Sequence, residues 1–273
     1  MNARLLGGIA LLLLLAIGVA AGAMFVDLSQ AAPLSVDVVQ PPSAEYPFGT
    51  DSAGRDLLAV MVMGTILTAK VGLLAGLIGI AVGTVLAFCA AYYGGWIDRV
   101  INFVVDVMLT VPGLLVLVVI ASAYPGKMTT TLMALVIAGL AWREPARQIR
   151  AQVLVMREAS YVQMARLSGR GGLAIIFTEM IPNLLPYLGA ALVSAVSGAI
   201  LASVGLEALG LGPRDEPTLG MTIYWLISEG AFLRGLWWWI VEPLAVLIVL
   251  FVSLYLLVIG LDEFANPRLR GIR

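Results

Sequence analysis

The 273-residue chain has no histidine, a single cysteine (Cys89), and charge on only 12% of its residues. Losing histidine removes the commonest general base and the commonest metal ligand together. One cysteine excludes an intrachain disulfide and a thiolate metal cage. A soluble domain is typically about 25% charged and about 45–50% apolar; here the apolar share is 61%. So little charge cannot cover a globule in water, so the solvent for much of this chain is lipid. Enzyme signals are equally scarce. The nearest approach to a phosphate loop, Ala121 to Met128, lacks the first glycine and the final Ser/Thr and contains Pro125.

What is present is a series of long apolar runs. A spanning helix needs about 20 mostly apolar residues. Six candidates meet or approach this: Leu5–Phe25, Ile66–Tyr92, Val100–Ser122, Met128–Trp142, Leu184–Leu206 and Trp238–Leu261. The fourth is short and must borrow residues at one end. All six should be helices, because an open strand edge cannot be satisfied in hydrocarbon. The first run has Arg4 in front of it, as a signal peptide would. Its apolar stretch of about 20 residues exceeds the 7–15 of a signal core, which favours a retained helix.

Charge placement sets the orientation. With the N-terminus inside, six crossings put Trp96–Arg99, Arg143–Pro182 and the C-terminal tail on the cytoplasmic side. With the N-terminus, those stretches hold 11 of the 16 basic residues. The outer loops hold four, Arg55, Lys127, Arg214 and Arg234, while Lys70 sits near a helix end and can snorkel. Outside, residues 27–50 contain Pro33, Pro41, Pro42 and Pro47 and read as an extended loop. Residues 208–236 carry a Gly- and Pro-rich turn and then a mildly amphipathic stretch from Thr218. Trp237, Trp238 and Trp239 read as an anchor at the outer interface.

Within the spans, Gly72-x-x-x-Gly76 and Gly79-x-x-x-Gly83 read as helix-packing surfaces. Asp106 is the one deep carboxylate identified, and its burial would cost about 2.5–3.5 kcal/mol at mid-bilayer. Arg99, Asn102, Asp106, Thr110 and Gly113 share one helix face. That polar face should point at another helix or at a solute path, and Asp106 should be buried against protein.

One cytoplasmic loop is long, about 40 residues from Arg143 to Pro182, basic and helix-forming, with breaks at Gly169, Gly171 and Gly172 and a stop at Pro182. Its stretch Tyr161-Val162-Gln163-Met164-Ala165-Arg166-Leu167-Ser168-Gly169, followed 13 residues after that glycine by Pro182, resembles the Glu-Ala-Ala loop of ABC importer permeases. Ala165, Gly169 and Pro182 match; Gln163 replaces the glutamate, Met164 the first alanine, and Glu179 and Ile181 the usual isoleucine and leucine. The flanks are similar to the dipeptide, oligopeptide and nickel subfamily, in its C-type permease. These are Phe48 to Leu58 with Gly49-Thr50-Asp51 and Gly54-Arg55-Asp56, Tyr93 to Arg99, Asp106 to Pro112, and Leu209-Gly210-Leu211-Gly212.

The resemblance implies an all-α polytopic membrane protein with six transmembrane helices and the type I importer fold. It implies an N-terminal helix over 1–25, an extracytoplasmic loop over 26–62, a permease domain over 63–265 with its coupling loop at 143–182, and a cytoplasmic tail over 266–273. The expected partners are a second permease subunit, two ATP-binding subunits, an extracytoplasmic substrate-binding protein and the lipid bilayer, with no nucleic acid. The expected location is the prokaryotic inner membrane, both termini cytoplasmic. No catalytic or metal site is expected, and ATP and magnesium would sit on partner subunits. Tyr161, Val162, Gln163, Met164, Ala165, Arg166, Gly169 and Pro182 would dock the ATPase, with Ala165 and Gly169 permitting close approach and Arg166 and Arg170 placed to reach acidic groups. Gln163 cannot make the charge-assisted contact a glutamate would, which implies a looser or differently paired dock. Asn102, Asp106 and Thr110 would line the path or an interface. The substrate would be peptides or related small solutes. The rival classes are a secondary transporter or channel, for which no internal repeat is visible, and a membrane-embedded enzyme, for which the catalytic residues are missing.

Overall fold

The computed structural model describes residues 3–265. The predicted tail 266–273, with Arg268, Arg270 and Arg273, lies outside the described residues. Among the described residues the regular secondary structure is helical, with one isolated bridge between Thr50 and Asp56. Helix α1 is Ala3–Phe25, α2 Leu57–Tyr93, α3 Gly95–Thr110, α4 Gly113–Ser122, α5 Thr130–Ala141 and α6 Arg143–Arg157. Then come α7 Ser160–Leu167, the single turn α8 Gly172–Ile175, α9 Ile181–Ala208, α10 Leu219–Ser228 and α11 Trp237–Ala265.

Among the described residues, four helical segments are long and apolar enough to cross a membrane: α1, α2, Gly172–Ala208 and α11. A fifth is obtained if α3 and α4, bent by 77° where Val111 and Pro112 interrupt them, count as one. The predicted fourth crossing is the 12-residue α5, about 18 Å long against a hydrocarbon core of about 30 Å. Trp142 is helical on both sides, so the chain runs from α5 into α6 without leaving helical conformation. The short segment thus borrows length from the long 143–182 loop. Length and composition alone do not reproduce the count of six.

The glycine pairs in α2 do what their spacing predicts. A Cβ on Gly72 or Gly76 would strike Ile200 and Val196 of α9, and one on Gly79 or Gly83 would strike Ala141 and the start of α6. Without side chains there, α2 becomes the spine against which α9, α5 and α6 all pack. Helix α1 lies along α11, where Gly8 meets the backbone of Ser253 and Leu257 and Gly260 meets Leu5. Arg4 pairs with Glu263 across the same seam.

Three local expectations are corrected. Residues 27–50 are not extended: they fold back over the start of α2, with Leu34, Val36 and Val39 donating backbone N–H groups to Ala53, Gly54 and Asp51. The Trp237–Trp239 triplet is not a simple interface anchor. Only Trp237 is exposed, while Trp238 and Trp239 are buried beneath that folded segment, Trp238 donating to the Thr50 carbonyl at 3.4 Å. Pro182 does not stop the helix. Helix continues from Gly172 to Ala208 through a widened turn at Ile176–Met180, and Pro182 lies within it.

Candidate functional site

The long loop forms a helical platform at one end of the bundle. Helix α6 is anchored on α2 through Ile149 and Val153, and α7 folds against the same cluster through Val162 and Ala165, with Ile175 and Met180 beneath. Apolar residues three apart lie on one helix face, which is why Val162 and Ala165 turn inward together. The opposite face presents Tyr161, Met164 and Leu167, with Met164 66% and Leu167 84% exposed. The predicted docking residues therefore divide. Val162 and Ala165 hold α7 to its own chain, Tyr161, 38% exposed, is partly covered at the edge of that contact, and Met164 and Leu167 are left exposed.

Gly169 ends α7 in the left-handed conformation, at φ +75°. Its N–H reaches the Arg166 carbonyl at 3.0 Å and the Arg170 N–H reaches the Ala165 carbonyl at 3.2 Å, the paired bonds of a Schellman cap. A Cβ at Gly169 would meet nothing within 4 Å. Within this chain, backbone conformation rather than crowding demands the glycine. The polar residues of the motif are engaged internally. Arg166 lies over the Tyr92 ring at 5.4 Å, and Arg170 donates to Glu179 at 2.6 Å. Gln163 reaches back to Glu158 at 3.4 Å. Pro182 is exposed at the far edge of the platform.

Helix α3 is strapped to α6. Arg150 forms a two-pronged pair with Asp98 at 2.6 and 2.7 Å, and Asn102 donates to the same carboxylate at 2.6 Å. Asp106 is not buried against protein in the single chain: it is 62% exposed, with Arg147 at 3.8 Å. Thr110 is also exposed, bonding back to the Val107 carbonyl. The predicted polar face thus exists, and its upper part is open. Beyond the bend, a groove of about 170 Å³ runs between α4, α5, the start of α6 and α9, lined by Leu114, Leu117, Arg143, Ala195, Gly198 and Ala202.

The deepest carboxylate is one the sequence reading missed. Glu207, near the end of α9, is fully buried. It accepts hydrogen bonds from Ser203 at 2.8 Å and Thr218 at 2.7 Å. Gly220 and Gly212 leave it room, since a Cβ on Gly220 would lie 2.2 Å from its carboxylate. Thr218 also caps α10, and the neighbouring Leu219 N–H donates to Thr68 of α2 at 3.1 Å. The signal available was the run Gly205-Leu206-Glu207-Ala208, where a carboxylate closes an apolar span immediately before a Gly-rich turn. Glu242 in α11 is a second deep carboxylate, and its Oε2 has no hydrogen-bond partner.

At the start of α2, the Gly-Thr-Asp and Gly-Arg-Asp sequences build a cap. Asp51 accepts the backbone N–H groups of Ala53 and Arg55, both at 2.9 Å, and Asp56 caps α2 by accepting from Leu58 and Ala59. Burial raises both carboxyls above their ordinary value, outweighing those backbone bonds and, at Asp51, the Arg55 charge. Among the described residues, no three His, Cys, Asp or Glu side chains gather as a metal site.

Comparison with known proteins gives a consistent set of relatives. The profile described as "Binding-protein-dependent transport system inner membrane component" matches residues 79–271. The oligopeptide transport system permease protein OppC of Mycobacterium tuberculosis is 28% identical over 238 residues, covering 86% of this chain and 80% of that protein. The dipeptide transport system permease protein DppC of Haemophilus influenzae is 30% identical over 227 residues, covering 82% and 75%. In fold, the chain is similar to an inward-facing structure of the MetNI methionine ABC transporter, with a TM-score of 0.59 at 18% identity, covering 76% of this chain and 94% of that one.

Proposed function

Because the chain belongs to the binding-protein-dependent transport system inner membrane components, we propose that it forms half of the solute path of an ATP-driven importer and carries peptides or related small solutes. The relatives named for oligopeptide and dipeptide transport support that substrate class. The observation that carries the mechanism is the exposed apolar pair Met164 and Leu167, flanked by Tyr161, on a short helix that Val162 and Ala165 fix to the bundle. A rigid helix with an exposed apolar face is built to seat in another protein's groove.

In this reading ATP and magnesium bind partner subunits, and the chain itself hydrolyses nothing. Two ATP-binding subunits dock at α7, with Gln163, Gly169 and Pro182 shaping the seat. A second permease subunit covers the open face of α3, where Asp106 and Thr110 are exposed, and an extracytoplasmic binding protein delivers solute to the capped end. The platform faces the cytoplasm of a prokaryotic inner membrane, as the excess of arginine there favours. The domains follow: α1, the outer segment, the permease bundle from residue 63, and the tail 266–273.

The test is reconstitution of the chain with a candidate ATPase, second permease and substrate-binding protein from the same organism. ATP-dependent accumulation of a labelled di- or oligopeptide in vesicles, abolished when the binding protein is omitted, is the expected result. Uptake that proceeds without ATP, driven by an ion gradient, would refute it.

A further inference from the structure

The break between α3 and α4, where Val111 turns extended ahead of Pro112, leaves the last carbonyls of α3 short of helical donors. In a continuous helix the N–H of residue 112 would bond the carbonyl of residue 108. Pro112 has no N–H, so the Met108 carbonyl loses its helical donor inside a segment where water is scarce. Arg143 fills the vacancy. Its Nη1 donates to the Met108 carbonyl at 2.6 Å, and its Nε donates to the Leu140 carbonyl, in the last turn of α5, at 2.8 Å. The fit is close: a Cβ on Gly113 would lie 2.6 Å from Arg143 Nη2, so glycine after the proline is what admits the guanidinium.

Arg143 is also the first residue of α6, the helix that leads to α7. Residues 143, 147 and 150 follow 4 and 3 spacing and share one face of α6. Their contacts on α3 are Met108, Asp106 and Asp98 in turn. Descending numbers on α3 against ascending numbers on α6 describe two antiparallel helices joined by three arginines. Two of those arginines hold α3 itself, and the third sits at the bend, beside the groove that α4 and α9 line.

We propose that Arg143 is a positioning residue for transport: a clamp that replaces the missing amide at Pro112 and makes α3 move with the ATPase-docking platform, so that platform motion is delivered to the α3–α4 bend. Arginine suits this role because its planar fork donates to two carbonyls at once, which lysine cannot match at fixed geometry. The proposal rests on the importer reading above. It adds the route by which a movement of α6 and α7 reaches the groove.

The experiment uses the reconstituted complex, with Cys89→Ser as background and spin labels at exposed positions Val104 on α3 and Val119 on α4. Two quantities are read: peptide transported per ATP hydrolysed, and the change in label separation between the nucleotide-free and nucleotide-trapped states. Arg143→Gln is expected to lower transport per ATP at least tenfold while ATP hydrolysis continues, and to abolish the change in separation. Gly113→Ala, which crowds the guanidinium without removing its charge, is expected to do the same in milder form. The proposal is overturned if Arg143→Gln leaves the ratio and the separation change intact. It is overturned equally if the variants lower complex yield, hydrolysis and uptake in parallel at constant ratio, since that is a structural role only. Absence of ATP-driven uptake by the unmodified complex would instead refute the importer reading, so the two failures are distinguishable.

Discussion

Under the proposed function the two faces of α7 make a quantitative prediction, because they separate the proposed dock from folding on an eight-residue helix. Full burial of a leucine or methionine side chain is worth about 1.5–3 kcal/mol. Leu167 is 84% exposed, so seating it in a partner groove recovers most of that, about 1.3–2.5 kcal/mol. Leu167→Asp forfeits this gain and adds a carboxylate to be desolvated, so ATPase affinity should fall at least roughly 10- to 60-fold. Adding Met164→Asp removes about 1–2 kcal/mol more, from a side chain that is 66% exposed. Neither residue packs in its own chain, so the melting temperature of the isolated permease should hardly change. Val162→Asp is the opposite case: it places a charge in the cluster with Ile149, Val153 and Ile175 and should destabilise the platform itself. The assay is recovery of the ATPase on tagged permease at several ATPase concentrations, beside a thermal melt of the permease alone. Wild-type recovery by the Leu167→Asp, Met164→Asp double variant would refute the argument and move the docking surface off α7.

Three further expectations follow from the same geometry. At φ +75°, Gly169→Val should cost about 1–2 kcal/mol of strain and lower ATPase recovery, while Gly169→Asn is tolerated; equal recovery for both would remove the capping role. Glu207→Ala removes the acceptor to which the buried Ser203 and Thr218 hydroxyls donate, at about 1–3 kcal/mol each, so a substantial drop in the thermal midpoint is expected, with Glu207→Gln milder; an unchanged midpoint for Ala would show that the network carries little. Asp51 and Asp56 have their carboxyls raised by burial. A raised folded-state value means that ionisation opposes folding, and the opposition fades as pH falls through that value towards the ordinary carboxylate range, about 4. Hydrogen exchange of residues 34–56, corrected for intrinsic rates, should therefore show equal or greater protection just above that range than at neutral pH, and a loss of protection would reverse the sign.

Much of this architecture can be read directly along the chain. Runs such as Leu5–Phe25 and Trp238–Leu261 must be helices, because in hydrocarbon each backbone group needs a partner within its own segment. Gly72, Gly76, Gly79 and Gly83 specify close packing by spacing alone, and the motif around Ala165 and Gly169 points to the family. Those signals are local: residues a few positions apart decide them.

The features that shape the candidate site are not local. Pro112 is visible in the sequence, yet Val100–Ser122 reads as one span, because the consequence of the missing N–H depends on whether a donor waits beside Met108. That donor is Arg143, 35 residues away. Glu207 is tolerable only because Thr218 and Gly220 fold back over it, and Trp238 is buried only because Thr50, 188 residues earlier, lies across it. On α7, the 3.6-residue period separates Val162 and Ala165 from Met164 and Leu167. Which face turns inward was decided by the cluster on α2 and α6, since side chains close in sequence can only state an amphipathic choice, and a surface brought up by the rest of the chain resolves it.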